Sequence, residues 1–105
     1  FAMTAHILFK KIDANNPVTH SSKIISIIKK KIKFQNLIIS DDISMKALKF
    51  NITLNTIKAF TAGCDLVLHC NGKIKEMTKV AENSKKLNKF IIEKTLKYYR
   101  LVGND

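Results

Sequence analysis

A chain of 105 residues, of which 46% are hydrophobic and 26% charged, has the length and composition of one globular domain, so global disorder is excluded. Its 19 basic residues against 8 acidic ones give a formal net charge of +11, which is typical of proteins that bind nucleic acid or an anionic membrane surface. All the basic residues except Arg100 are lysines, however, whereas base and phosphate recognition favours the planar fork of arginine, so the charge alone supports such binding only weakly.

Three short apolar runs predict buried strands. They cover residues 2–9, 36–41 and 65–70, and each is apolar over most of its length. Isoleucines at helical spacing after Ser21 or Ser22 predict a helix between the first two strands, with lysines on its solvated face. No apolar run reaches the roughly 18 residues of a membrane-spanning helix, so no membrane partner is expected.

The segments after the second and third strands predict further helices. Residues 43–49 fit a short helix, and residues 53–62 fit a second one that ends at Gly63, where a left-handed C-cap is favoured. Residues 73–101 have helical spacing and predict a helical tail. Strands that alternate with helices are typical of parallel sheets with right-handed crossovers, so we expect an α/β fold with parallel strands and outer helices.

The two cysteines, Cys64 and Cys70, flank the third predicted strand. An extended segment of that length spans about 20 Å at ~3.3 Å per residue, beyond the roughly 7 Å that a disulfide allows. Two free thiols suit a reducing compartment, so we expect a cytoplasmic protein. The sequence leaves open whether a segment precedes Phe1, which is not a methionine.

Catalytic groups of parallel α/β folds lie at the carboxyl ends of the strands. In this sequence those ends carry His6, the adjacent Asp41 and Asp42, and His69. Because side chains alternate along a strand, Asp41 is expected to point to the mouth of the sheet and Asp42 to the opposite face. We expect Asp42 to be the N-cap of the helix over residues 43–49, while Asp41 is either catalytic or a strand-end carboxylate bonded to loop amides.

Metal, cofactor and phosphate sites have little support. The histidines and cysteines show no His-x-His, His-Glu-x-x-His or Cys-x-x-Cys spacing, so no metal site is predicted. The three glycines are isolated from one another, which excludes a glycine-rich phosphate loop. We therefore expect chemistry carried by side chains, without a cofactor.

Four segments of the sequence follow one another in the order and at the spacing of a known family. They are Met3 to His6, Asp13 to Ser22, Leu37 to Met45 and Ala62 to Asn71. The Ser-Asp-Asp-x-Ser-Met segment, residues 40–45, is the most specific of them. Together they resemble the closing third of the bacterial β-N-acetylhexosaminidases of glycoside hydrolase family 3, and residues after 72 are similar only as a helical tail.

The resemblance implies that residues 1–105 are part of a (β/α)8 TIM-type barrel domain and form its last three βα units. It also implies retaining exo-hydrolysis of terminal β-linked N-acetylglucosamine, as in peptidoglycan recycling, and therefore a carbohydrate substrate. The family's nucleophile is the first Asp of its Ser-Asp-Asp segment, a role that falls on Asp41. Met45 and His6 are implied to border the substrate, whereas ordinary core packing is the favoured role for Met3.

The sequence departs from the family pattern at two points. The family's acid/base is a His paired with an Asp in a Lys-His-Phe-Pro-Gly-His-Gly loop, which these 105 residues lack. Lys33 and Asn36 stand where the family usually has glycine. We therefore expect a fragment that is inactive alone. Two alternatives stay open: a small lysine-rich nucleic-acid-binding protein, and a non-catalytic piece that completes a barrel with a separately encoded N-terminal fragment.

Overall fold

The computed structural model describes residues 1–103, which form a parallel three-stranded sheet with helices around it. In chain order the elements are β1 (Ala2–Thr4), a 3₁₀ turn (Val18–His20), α1 (Ser22–Ser26) with a following π-helical turn (Ile27–Lys31), β2 (Ile38–Asp42), α2 (Ile52–Ala62), β3 (Leu66–Leu68), α3 (Ile74–Asn83) and α4 (Lys89–Leu101). The strands lie side by side in the order β1, β2, β3, and both pairings are parallel. The carboxyl ends of all three strands therefore meet at one edge, and the expected α/β class is confirmed.

The hydrophobic core lies between one face of the sheet and helices α1 and α2. Five side chains form its centre, each no more than 6% exposed: Ile25, Ile38, Ala59, Ala62 and Cys64. Val67 of β3 packs against the same cluster. Burying one large aliphatic side chain such as Ile38 contributes about 1.5–3 kcal/mol, so this layer holds the middle strand to two helices. By alternation, the neighbours of Ile38 along β2 face away from α1 and α2.

The opposite face of the sheet is only partly covered. Leu37, Ile39 and Leu66 lie on it, and a cavity of about 450 Å³ separates them from side chains of α4 that include Tyr98. The ring of Phe1 packs edge-on against Tyr98, with centroids 5.5 Å apart. Helix α4 therefore covers this face near the amino ends of the strands.

Side-chain caps fix the starts of three helices. Ser21 Oγ accepts a backbone hydrogen bond at 3.1 Å in the first turn of α1, and Asn51 and Asn88 cap α2 and α4 in the same way. Gly63 ends α2 with φ 117°, and a Cβ at that position would lie 3.0 Å from Ile25 Cγ2. The caps expected at Ser21 and Gly63 are both present.

The segment after α1 contains a backbone conformation that favours glycine. The π-helical turn Ile27–Lys31 leads into Lys33, whose φ of 60° lies in the left-handed region. A residue with a Cβ in that conformation destabilises the fold by about 1 kcal/mol relative to glycine. This strain falls at a position where the family resemblance expects glycine.

The first strand is shorter than the sequence predicts. Expected over residues 2–9, it ends at Thr4, because the chain then turns and Ile7 accepts a hydrogen bond from the backbone of Val18 at 2.9 Å. The apolar side chains at positions 7–9 are each at least 39% exposed. Apolar character alone therefore overstated the length of the strand.

The second and third strands also differ at their ends from the expected 36–41 and 65–70. They span Ile38–Asp42 and Leu66–Leu68. Asp42 is the register partner of Leu68, so β2 continues one residue beyond its expected end. The pairing partner of a strand, rather than its own apolarity, sets where it stops.

The expected helix over residues 43–49 does not form; turns occupy this segment. The Asp42 carboxylate accepts hydrogen bonds from the backbone N–H of Ser44 at 3.0 Å and from its hydroxyl at 2.8 Å. Such local side-chain bonds compete with helical ones. The expectation that Asp42 is a helix N-cap is therefore wrong: it caps a turn.

The helical tail expected over residues 73–101 is divided into α3 and α4. Ser84 Oγ donates back to the carbonyl of Val80 at 2.7 Å at the end of α3, and Asn88 begins a new helix by capping α4. Short polar side chains therefore interrupt the helical pattern. Within residues 1–103, no helix combines the length and apolarity needed to cross a membrane.

Candidate active site at the carboxyl ends of the strands

Polar side chains meet where the three parallel strands end. His6 follows β1, Asp41 and Asp42 close β2, and His69 and Cys70 follow β3. Hydrogen bonds link the end of β2 to both neighbouring strand ends. The groups that the sequence analysis placed at strand ends are therefore brought together at one edge of the sheet.

Asp42 ties the end of β2 to the segment after β3. Besides binding Ser44, its carboxylate accepts a hydrogen bond from the backbone N–H of Cys70 at 3.1 Å. Burial acts to raise the pKa of Asp42, but the hydrogen bonds from Ser44 and Cys70 and the charge of His69 outweigh it and lower the pKa. Asp42 is therefore an ionised carboxylate with a structural function.

Asp41 has a different environment from its neighbour. It lies two residues beyond Ile39, the register partner of Met3, where the pairing of β2 with β3 is irregular between Ile39 and Asp42. Within residues 1–103 it forms no ion pair, and its carboxylate accepts one hydrogen bond, from the backbone N–H of Asp42 at 2.7 Å. One carboxylate oxygen of this partly exposed residue is left to contact a molecule at the mouth of the sheet.

His6 contacts the backbone directly after Asp41. Its Nε2 lies 2.8 Å from the carbonyl oxygen of Asp42, and its Nδ1 lies 2.8 Å from the hydroxyl of Thr19. The Thr19 hydroxyl is in turn 2.8 Å from that of Thr4. Both ring nitrogens are thus engaged within the chain, and binding a sugar through either one would require a bond to break.

His69 lies behind the end of β3 and is linked to α3. Its Nε2 is 3.5 Å from a carboxylate oxygen of Glu76, which also accepts a hydrogen bond from the side chain of Asn71 at 3.0 Å. The bond from Asn71 is the main cause that lowers the pKa of Glu76. This cluster attaches the start of α3 to the sheet.

The two methionines singled out in the sequence are both accessible. Met45 lies in the turn after β2 and is 43% exposed, so it can border a pocket next to the strand ends. Met3 is 52% exposed on the face that carries Asp41. The core packing favoured for Met3 is therefore not found among residues 1–103.

Carboxylates, rather than thiols or metal ligands, dominate this edge. Among the residues that the structure describes, no group of three His, Cys, Asp or Glu side chains converges to hold a metal ion. Both cysteines are free, and burial raises the pKa of Cys64 to about 11, so its thiol is unreactive. The chemistry that this edge can supply is that of an accessible carboxylate.

Sequence reasoning missed the threonine pair that contacts His6. Thr4 and Thr19 are 15 residues apart, and both are buried, at 4% and 0% exposure. The sequence marked Thr19 only by its position inside the second segment of the family resemblance. The contacts of Thr19 with His6 and Thr4 follow only from the fold.

Comparison with known proteins places the chain in a family. Residues 1–98 match the model of the glycosyl hydrolase family 3 N-terminal domain. Curated relatives include the beta-hexosaminidases of Glaesserella parasuis and Haemophilus influenzae, each 37% identical over 71 residues. Each alignment covers 66% of this chain but 21% and 20% of the respective relative. The chain therefore spans about a fifth of the length of the curated relatives it matches.

Solved structures share the same arrangement of strands and helices. CbsA from Thermotoga neapolitana has a TM-score of 0.77 at 23% identity, over 97% of this chain and 26% of that chain. The family 3 beta-N-acetylglucosaminidase from Paenibacillus sp. str. FPU-7 has a TM-score of 0.73 at 21% identity, over 99% and 23%. The beta-N-acetylglucosaminidase from Thermotoga maritima has a TM-score of 0.67 at 28% identity, over 93% and 24%. The resemblance seen in the sequence motifs is confirmed, and this chain belongs to glycosyl hydrolase family 3.

Proposed function

We propose that this chain supplies the nucleophile, Asp41, of a retaining exo-β-N-acetylglucosaminidase that hydrolyses terminal β-linked N-acetylglucosamine. The contrast between the two adjacent carboxylates at the end of β2 carries the proposal. Asp42 uses its carboxylate to hold Ser44 and Cys70, whereas Asp41 is partly exposed and accepts one local hydrogen bond. Family membership and the names of the curated relatives support the reaction class.

The reaction divides into two displacements at the anomeric carbon. In the first, a carboxylate oxygen of Asp41 forms a bond to that carbon while the bond to the leaving oxygen breaks, and an acid/base group protonates the leaving oxygen. In the second, the same group takes a proton from water, and the water oxygen displaces Asp41. Two inversions at one carbon retain the configuration of the sugar.

The proposed enzyme needs groups beyond these 105 residues. We place β1, β2 and β3 as the last three strands of a (β/α)8 barrel, so that Asp41 lies at its mouth and Met45 borders the sugar. The exposure of Met3 on the Asp41 face supports this placement, because a barrel would cover that face with other strands. Further polypeptide or a separately encoded fragment would supply those strands, the His-Asp acid/base and the remaining sugar contacts.

The proposal also includes a biological setting. The family resemblance favours muropeptides from peptidoglycan recycling as the source of the substrate. The two free thiols, Cys64 and Cys70, are compatible with a reducing cytoplasm.

A chimera tests the proposed reaction directly. The 105 residues of this chain replace the corresponding part of the Haemophilus influenzae relative, and hydrolysis of a chromogenic N-acetylglucosaminide is measured. We expect Asp41→Asn to lower kcat by roughly 10³-fold or more, because loss of a covalent nucleophile costs at least that much. Glu93→Gln, which changes an exposed carboxylate on α4, serves as the matched control and should retain the parental activity per folded molecule. An Asp41→Asn chimera as active as its parent would refute the proposal.

A further inference from the structure

We propose that His6 is a positioning residue for Asp41, and that Thr19 and Thr4 hold its ring in the tautomer this task requires. The inference rests on the proposed role of Asp41 as the nucleophile. It assigns to His6 a contact with the backbone of the nucleophile's neighbour in place of a contact with the sugar. Two observations support it: the tethering of Asp42 and the hydrogen-bond polarity of the threonine pair.

Asp42, which lies between His6 and the proposed nucleophile, has every polar group in a hydrogen bond. The carbonyl of Asp42 accepts from His6 at 2.8 Å and from the backbone N–H of Met45 at 3.2 Å, and its carboxylate accepts from Ser44 and from Cys70. Its remaining polar group, the backbone N–H, donates to Asp41 Oδ1 at 2.7 Å. The orientation of the Asp42 backbone therefore sets the orientation of the Asp41 carboxylate, and His6 is the group that fixes this backbone from the side of β1.

The tautomer of His6 follows from what each neighbour can donate. A carbonyl oxygen only accepts, so Nε2 carries the proton that is given to Asp42. In the neutral ring Nδ1 then accepts, and Thr19 donates its single hydroxyl proton to it at 2.8 Å. Thr19 in turn accepts from Thr4 at 2.8 Å, whereas its alternative acceptor, the carbonyl of Ala5, is farther away at 3.3 Å. The three short contacts are all satisfied by this one arrangement.

The threonine pair can act in this way because water is excluded from it. Thr19 is 0% exposed and Thr4 is 4% exposed, so neither hydroxyl has solvent as a substitute partner. A buried hydroxyl without a hydrogen bond costs about 1–3 kcal/mol, and this cost favours the tautomer that satisfies every member of the chain. Thr4, Thr19 and His6 thus form one hydrogen-bonded chain that ends at the Asp42 carbonyl.

The tautomer is tested on this 105-residue chain by nitrogen-15 NMR of its labelled histidines, without any assay of activity. We expect the neutral ring of His6 to carry its proton on Nε2, and His6→Gln identifies the signal by its disappearance. Thr19→Val should change the Nδ1 chemical shift, because Nδ1 loses the hydroxyl that donates to it, and Thr19→Ser should keep that shift unchanged. A wild-type His6 with its proton on Nδ1 would overturn the inference.

Kinetics of the chimera test the positioning itself. Small displacements of a reacting group cost up to about 10²-fold in rate, so we expect His6→Leu to lower kcat by roughly 10- to 10²-fold with a smaller change in KM. His6→Gln places an amide N–H near the position of Nε2 and should recover part of the loss. A merely structural role would lower the melting temperature in both variants and leave kcat per folded molecule unchanged.

The outcomes separate this inference from the proposed function. If Asp41→Asn leaves the chimera active, the assignment of the nucleophile fails, whatever the His6 variants do. If Asp41→Asn inactivates it while His6→Leu keeps the parental kcat, the positioning role alone is wrong. Equal losses of kcat in His6→Leu and His6→Gln would also overturn it, because the hydrogen bond would then not be the cause.

Discussion

Two carboxylates adjacent in sequence have different surroundings at the end of β2. Asp42 accepts hydrogen bonds from Ser44 and Cys70, whereas Asp41 accepts one, from the backbone N–H of Asp42. Alternation predicted that they face different ways, but the pairing of β2 with β3 is irregular between Ile39 and Asp42, so their contacts distinguish the two residues. Mutation of Asp42 should therefore change the stability of the fold more than mutation of Asp41.

We predict that Asp42→Ala lowers the free energy of unfolding by about 1–2 kcal/mol, because it removes the acceptor of the hydrogen bonds from partly buried Ser44 and exposed Cys70. Asp41→Asn should change it by less than about 0.5 kcal/mol, as is usual away from structural contacts. Urea unfolding of the chain at high dilution, followed by tyrosine fluorescence, measures both. Should Asp41→Asn prove as destabilising as Asp42→Ala, Asp41 would be the strand-end structural carboxylate left open by the sequence.

The contacts of His6 mark the limit of residue-scale inference from one sequence. Its partners, Thr19 and Asp42, are 13 and 36 positions away. No local rule connects such positions, because the connection is made by the parallel pairing of β1 with β2. The type of residue at the strand end was predictable, whereas its contacts with Thr19 and Asp42 were not.

At the scale of elements, the 3₁₀ turn Val18–His20 carries an ionisable group in an apolar setting. His20 is 8% exposed, and its Nε2 has no hydrogen-bond partner among residues 1–103. Burial lowers the pKa of His20 from 6.5 to about 4, the charges of Lys58 and His6 act in the same direction, and a contact with Asn55 opposes them. The turn is therefore built around a neutral imidazole.

This pKa shift predicts that acid destabilises the fold. Between pH 6.5 and about 4 the unfolded chain binds a proton at His20 that the folded chain does not, so stability rises with pH in this window and is complete above it. The loss between pH 7.5 and pH 5 should be about 2 kcal/mol at 1.36 kcal/mol per unit. Urea unfolding at the two pH values measures it, with His20→Gln as the control. An equal loss in that variant would contradict the assignment to His20.

The order of elements was predictable, but several of their ends were not. Apolar runs and helical spacing indicated the parallel α/β arrangement that the sheet confirms. The predicted helices were wrong over residues 43–49, where turns form, and over residues 84–88, where the helical tail is interrupted. In these segments Asp42, Ser84 and Asn88 bind nearby backbone groups. Such bonds depend on side-chain rotamers, which a hydrophobic pattern does not specify.

At the scale of the whole molecule, the described sheet has two open edges, β1 and β3, and one partly covered face. Exposed strand edges pair with other chains unless they are protected. We predict that the isolated chain associates in solution and hydrolyses a chromogenic N-acetylglucosaminide no faster than background. Gel filtration with light scattering and the hydrolysis assay check both parts. A monodisperse monomer at the concentration of the gel filtration, or turnover abolished by Asp41→Asn, would contradict this prediction.

The net charge of +11 is no longer an argument for nucleic-acid binding once the family is known. Many lysines lie on exposed surface, and Lys29 and Lys85 are within 3.7 and 3.8 Å of the buried carboxylate of Asp65 at the start of β3. The motifs at the strand ends, and not the overall composition, identified the family. Composition constrained the class of protein, while a few residues at fixed spacing carried its chemistry.

The most direct measurement is to trap the glycosyl-enzyme intermediate in the chimera. A fluorinated N-acetylglucosaminide whose enzyme-bound sugar hydrolyses slowly is incubated with the protein, and the digested peptides are weighed by mass spectrometry. We expect one added sugar on the peptide that carries Asp41, and no addition in Asp41→Asn. A sugar attached to any other residue, or turnover that persists in Asp41→Asn without a trapped intermediate, would contradict it.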